Sequence, residues 1–105
     1  MSLQNVQLGL TETSILTSSA TEVNAVLSIL FCNTTASTIT ITVYAYPSGG
    51  SAGDGTTIIK DLEISAKDTF IWTGDEKIIL GNSDVISGLA DVATSVTATV
   101  NYYTL

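Results

Sequence analysis

The sequence predicts an all-β fold: a single β-sandwich, jelly-roll-like, built from about eight short antiparallel strands. Three observations lead there. Residues 37–46, STITITVYAY, and 95–105, SVTATVNYYTL, alternate strictly between apolar and polar positions, the mark of a half-buried strand. Turn-forming clusters rich in Gly, Ser, Asn and Asp recur every 8 to 12 residues or so. No stretch shows a helical period convincingly, and the one ambiguous segment runs directly into an unambiguous strand.

Taken in order, residues 1–12 are weakly patterned and read as an N-terminal arm or edge segment, leaving 13–105 as the sandwich domain. Residues 13–18, TSILTS, form a short strand. Residues 22–33, EVNAVLSILFCN, are the most hydrophobic part of the chain. Simple alternation puts Val23, Ala25, Leu27, Ile29 and Phe31 on one face and Val26, Leu30 and Cys32 on the other. Both faces are then largely apolar, so one joins the core and the second needs a cover from a loop, an arm or another subunit. In 37–46 the inward set is Ile39, Ile41, Val43 and Ala45, and the outward set is Thr38, Thr40, Thr42, Tyr44 and Tyr46.

Pro47 stops that strand, since it cannot extend a central ladder. The segment PSGGSAGDG that it opens is a flexible surface loop. A strand over 56–64 follows, then the turn SAKD and an aromatic strand TFIWT, which carries Phe70 and Trp72 into the core. GDEK reads as a turn, 78–80 as a separate short strand, and GNSD as another turn. Residues 85–90 and 95–105 close the domain, the latter with Val96, Ala98, Val100 and Tyr102 on one face and Thr97, Thr99, Asn101 and Tyr103 on the other.

Composition narrows the function. The chain has 105 residues, enough for one domain. Only 12% are charged, about half the usual share, while seventeen Thr and twelve Ser take the places that charges normally fill. So few surface charges favour a protein whose surface is partly covered by neighbours. Ten acidic residues face Lys60, Lys67 and Lys77, with no Arg, for a net charge of −7. That balance argues against nucleic acid, which needs a basic stripe, and against anionic membrane surfaces. No apolar run is long enough to span a bilayer as a helix, and MSLQNVQLG has neither the basic flank nor the apolar stretch of a signal peptide.

Catalytic groups are sparse. The chain has no His, which removes Ser-His-Asp and Cys-His arrangements. Cys32 is alone, reads as a small buried core residue, and cannot form an internal disulfide. The glycine-rich loop lacks the Lys and following helix of a phosphate cradle. Asp61 with Glu63, and Asp75 with Glu76, are carboxylate pairs without the aromatic cleft of a glycosidase. Asp54, Asp75, Glu76 and Asp84 lie in Gly-containing turns that could offer oxygen ligands to calcium, but without EF-hand spacing they read as turn residues. Asn33-Thr34-Thr35 matches a glycosylation acceptor, which matters only in a secretory pathway. No catalytic residue, metal ligand or cofactor is therefore expected.

One order of segments does carry a resemblance. Two long strands separated by NTTAST are followed by a Gly/Ser loop, then SAKDT, an aromatic strand, a Leu80-x-x-x-Asp84-x-Ile86 step and a closing VTATVNYY strand. This resembles the small all-β virion proteins of tailed bacteriophages, over roughly residues 13 to 105. The resemblance implies a non-enzymatic particle component, a homo-oligomer and often a trimer, made in the host cytoplasm and carried in the virion beside proteins such as the major capsid protein. The expected role is capsid decoration (cement). The alternatives are a tail, neck or fibre component, or a carbohydrate-binding adhesin module. The residues expected at the contact are Thr40, Thr42, Tyr44, Tyr46 and Tyr103, because neutral hydroxyls and aromatics suit protein interfaces.

Overall fold

Residues 2–105 are described by a computed structural model, with the side chains of 74–77 outside the description. The strands are β1 (Ser2–Gln7), β2 (Thr13–Thr17), β3 (Asn24–Asn33), β4 (Ile39–Tyr46), β5 (Thr57–Ile64), β6 (Thr69–Leu80), β7 (Val85–Ala90) and β8 (Val96–Thr104). They form two four-stranded antiparallel sheets that face each other as a sandwich. The first has the order β1-β8-β3-β6 and the second β2-β7-β4-β5. β1 pairs with β8, β2 with β7, β3 with β6, and β4 with β5. The chain is thus a long antiparallel ribbon, doubled back at the β4–β5 loop and wound across both sheets.

Between the sheets lie Leu8, Ile15, Ile29, Phe31, Ile41, Val43, Ile86 and Val100, all fully or nearly fully buried. Phe70 and Trp72 pack against this core from β6, and the Phe31 and Phe70 rings stack with centroids 6.2 Å apart. Gly88 on β7 leaves room for its two neighbours within the second sheet, β4 and β2. A Cβ there would lie 3.2 Å from the Thr42 carbonyl oxygen and 3.3 Å from Ile15 Cδ1.

One alternative left open by the sequence is resolved and two expectations are revised. First, of the arm and the edge segment expected over 1–12, the structure has an edge strand. β1 is an edge strand of the first sheet, and Leu8 sits in the core with its backbone bonded to Val96. Second, 69–73 and 78–80 are not two strands related by a reversal. Both run antiparallel to β3 as parts of one strand, Thr69 opposite Cys32 and Leu80 opposite Asn24. The GDEK segment itself lies outside the described side chains. Third, β3 does not alternate uniformly. Val26 pairs with Tyr102 and Ser28 with Asn101, which leaves Leu27 as an extra residue. This is a β-bulge, and it shifts the phase of the strand by one. Before it Asn24 and Val26 point inward; after it Ile29, Phe31 and Asn33 do. Cys32 therefore lies half-buried on the outer face rather than in the core.

Buried asparagines hold both ends of β3. Asn24 Nδ2 donates to Ser18 Oγ at 2.7 Å, and Asn24 Oδ1 accepts from Thr104 Oγ1 at 2.8 Å. Asn33 is fully buried. Its amide nitrogen donates to the carbonyls of Ser37 (2.7 Å), Ile64 (3.0 Å) and Ser65 (3.2 Å), while its Oδ1 accepts from Thr35 N–H and Oγ1. One side chain thereby fixes the β3–β4 turn and clamps it to the β5–β6 turn. The glycosylation-like triplet is a structural turn.

Replacing Asn33 by Ala removes one donor from each of three carbonyls, of which Ser37 keeps Thr35 Oγ1 and Ser65 keeps the Asp68 N–H, and it removes the turn's internal acceptor. The expected loss is about 2–4 kcal/mol of unfolding free energy, measured by urea denaturation. Thr38→Ala, at an exposed position of the same turn, should cost less than about 0.5 kcal/mol.

Candidate interaction surfaces

A sandwich exposes two outer sheet faces, and here they differ in chemistry. The outer face of the second sheet carries four of the five contact residues expected from the sequence. Thr40 is half-buried, and its backbone is tied to Asp91: its N–H donates to Asp91 Oδ1 at 3.0 Å and its carbonyl accepts from Asp91 N–H at 3.1 Å. Thr42 is only 2% exposed, which corrects its assignment to a free surface. The cause is a kink in β5, where Asp61 adopts a left-handed backbone (φ 48°) and the β4–β5 register shifts. The Thr42 hydroxyl accepts from Asp61 N–H at 3.2 Å and donates to Asp61 Oδ1 at 3.3 Å. Its hydrogen-bonding capacity is therefore used within the sheet.

Tyr44 and Tyr46 are half-buried on this face. Tyr46 is bound to Glu12, which lies in the β1–β2 connection. The Glu12 Oε2 atom accepts from both the Tyr46 hydroxyl and the Ser87 hydroxyl. These two bonds favour the ionised carboxylate, so the Glu12 pKa is lowered, with the Ser87 bond the larger cause. The Tyr46 pKa is raised, chiefly because its proton is shared with Glu12. The arrangement clasps the β1–β2 connection to β4 and β7. Glu12, Asp61, Glu63 and Asp91 together make this side of the molecule acidic.

The outer face of the first sheet holds the fifth expected residue, Tyr103, 50% exposed. The five candidates thus divide between opposite sides of the sandwich. The pairing registers place Leu3, Asn5 and Gln7 of β1 on this face beside Thr97, Thr99, Asn101 and Tyr103 of β8. β3 adds Ala25, Ser28, Leu30 and Cys32, and β6 adds Thr69, Ile71, Thr73 and Ile79. Among the described residues none of these side chains is charged. Leu3 (66%), Ile71 (52%) and Ile79 (59%) are exposed. Polar neighbours satisfy each other across strands: Asn5 Nδ2 donates to Thr99 Oγ1 and Asn101 Nδ2 to Ser28 Oγ, both at 2.7 Å. Across the described residues the result is an uncharged surface with apolar side chains standing on it.

Ile71 and Ile79 were not singled out in the sequence. The available signal was that FIW and IIL are apolar at every position, the same two-faced pattern that marked β3. For metals, the Asp84 carboxylate is occupied in turn closure, accepting from Gly81 N–H at 2.8 Å and Ser48 N–H at 3.0 Å. Among the described residues no three His, Cys, Asp or Glu side chains gather as a metal site. No protein-family model, no curated protein and no solved structure matches this chain.

The clasp has a defined pH window. A carboxylate with a lowered folded pKa stabilises above its unfolded value of 4.5, and that contribution is lost as pH falls through the folded pKa. A tyrosine with a raised folded pKa stabilises fully below its unfolded value of 10.0, and the contribution is lost as pH rises through the folded pKa. Tyr46→Phe should therefore flatten the alkaline limb of the melting temperature against pH, and Glu12→Gln the acid limb. Thermal melts of both variants from about pH 3 to pH 11 check this, and limbs parallel to wild type would count against the clasp.

Proposed function

We propose that this chain is a non-enzymatic structural protein of a phage particle, and that it serves as a capsid decoration protein. The observation that carries the proposal is the outer face of the first sheet, on which Leu3, Ile71, Ile79 and Tyr103 are exposed. An apolar surface that the chain itself leaves open is the mark of a protein–protein contact. We read the nested strand pairing as a jelly roll, an architecture that serves many viral capsid proteins, with the fold lending only analogy. The absence of His and Arg from the sequence and the occupation of the Asp84, Asp61 and Glu12 carboxylates in structural hydrogen bonds favour assembly over catalysis.

Mechanistically, each copy would add buried area across neighbouring shell subunits. Many copies would then shift the shell toward its assembled state by mass action and avidity. A carbohydrate-binding role would draw on Tyr44 and Tyr46 beside Glu12, but the Tyr46 hydroxyl is already engaged by Glu12.

Quantitative mass spectrometry of purified particles tests the proposal. Decoration requires a copy number comparable with that of the major capsid protein. About a dozen copies, the multiplicity of a single symmetric ring, would reassign the chain to the neck or tail. Absence from the particle would sink the structural role altogether.

A further inference from the structure

We propose that the Asp54–Gly55 link, in the β4–β5 loop, is a site of spontaneous backbone modification: Asp54 closes to a succinimide and reopens as isoaspartate. The inference concerns the chemistry of one peptide bond and does not rest on the particle role.

The reaction needs a side-chain carboxyl one carbon from the backbone and an unhindered nitrogen on the next residue. It also needs a local backbone able to turn one onto the other. Glycine suits the second position because it has no Cβ to shield its nitrogen. Of the six aspartates and five asparagines in the chain, Asp54 alone is followed by glycine.

The structure leaves both reacting groups unoccupied. The carboxylates of Asp61, Asp68 and Asp91 accept from Thr42 Oγ1, Thr69 N–H and Thr40 N–H, and that of Asp84 accepts from Gly81 N–H and Ser48 N–H. Among the described residues no donor holds the Asp54 carboxylate in this way, and Asp54 is exposed. Gly55 is exposed as well, and a Cβ built on it would meet nothing within 4 Å. The N–H groups around it are bonded, Thr56 N–H to the Gly53 carbonyl and Gly53 N–H to Thr56 Oγ1, both at 3.0 Å. The Gly55 N–H has no such acceptor. The pair lies in a single helical turn, Asp54–Thr56, that contains no buried residue, so rotating the link sacrifices no packing. Nor does the backbone demand glycine here, since Gly49 is the one glycine with a positive φ among the described residues.

The steps balance with water alone. The Gly55 nitrogen attacks Asp54 Cγ. The N–Cγ bond forms, the Cγ–OH bond breaks, and the amide proton leaves with the hydroxyl as water. Water then adds to one of the two ring carbonyls, and the bond from that carbon to the nitrogen breaks. Addition at Cγ restores aspartate. Addition at the main-chain carbonyl leaves the peptide link running through the side chain. The backbone is then one methylene longer and carries a main-chain carboxylate, so the Thr56–Gly53 turn loses its geometry. The nearest β4–β5 pair, Tyr44 with Thr57, lies beyond that turn, and the sandwich stays folded.

Incubation of the purified chain in water labelled with heavy oxygen, followed by peptide mapping, tests the proposal. One heavy oxygen should enter residue 54 at each ring opening, and an isoaspartyl form of the same peptide should accumulate. Both should be faster at about pH 5 than at about pH 8, because the protonated acid is the electrophile. Gly55→Val, a β-branched side chain that the open space accepts, shields the nitrogen and should slow the reaction at least about tenfold. Asp54→Glu, whose ring would have six members, should slow it as well. Asp54→Asn should lose ammonia through the same ring, faster as pH rises. The folded chain should react within about tenfold of the rate in urea, since the fold does not hold the turn. Label absent from residue 54, or entering the other aspartates as fast, overturns the proposal. So does a Gly55→Val chain that reacts at the wild-type rate, or a folded-state rate more than about tenfold below that in urea.

Discussion

One extra residue in β3 governs how the rest of the molecule is arranged. β3 is flanked by β8 and β6, so it sets the register of the whole first sheet. Because side chains alternate with a period of two, a strand without Leu27's bulge could bury only one of its halves correctly. With it, Asn24 and Val26 at one end and Ile29, Phe31 and Asn33 at the other all reach the interior. The two asparagines then tie each end of the strand to neighbouring connections. The same phase change decides what faces outward: Ala25 before the bulge and Leu30 and Cys32 after it. Core and outer face are two outcomes of one irregularity.

The two outer faces divide the surface chemistry of the molecule. One side gathers carboxylates, of which Glu12, Asp61 and Asp91 are engaged by hydroxyl or backbone donors, and knits the β1–β2 connection onto β4 and β7. The other is uncharged among its described residues and internally hydrogen-bonded, with isoleucines standing proud of it.

Much of the fold was legible in the sequence. β4 and β8 alternate without interruption, and their inward residues, Ile41, Val43, Val96, Ala98 and Val100, are in the core. The irregular positions were harder to read. Leu27 is an ordinary strand residue, so nothing local marks it as a bulge. GDEK has turn composition, yet the strand direction is the same on both sides of it. Thr42 alternates as an outward residue, and only the left-handed Asp61 on a neighbouring strand buries it. The contact surface was half legible: the two-faced apolar pattern of β3 required a cover. Its position relative to Ile71 and Ile79 depended on strand neighbours far apart in sequence.

The nested pairing also fixes when the molecule can be finished. The last strand made, β8, is not at an edge; it lies between β1 and β3. During synthesis β4 and β5 can pair as soon as they emerge, but β1 waits for β8, and β2 waits for β7. Such long-range closure is slow because loop entropy is lost before the contacts form. β1, and the edge of β3 that faces β8, therefore stay unpaired until β8 is made, the interval in which unpaired strands are most prone to stray association. Loss of that segment would remove the middle of the first sheet and not merely trim its border.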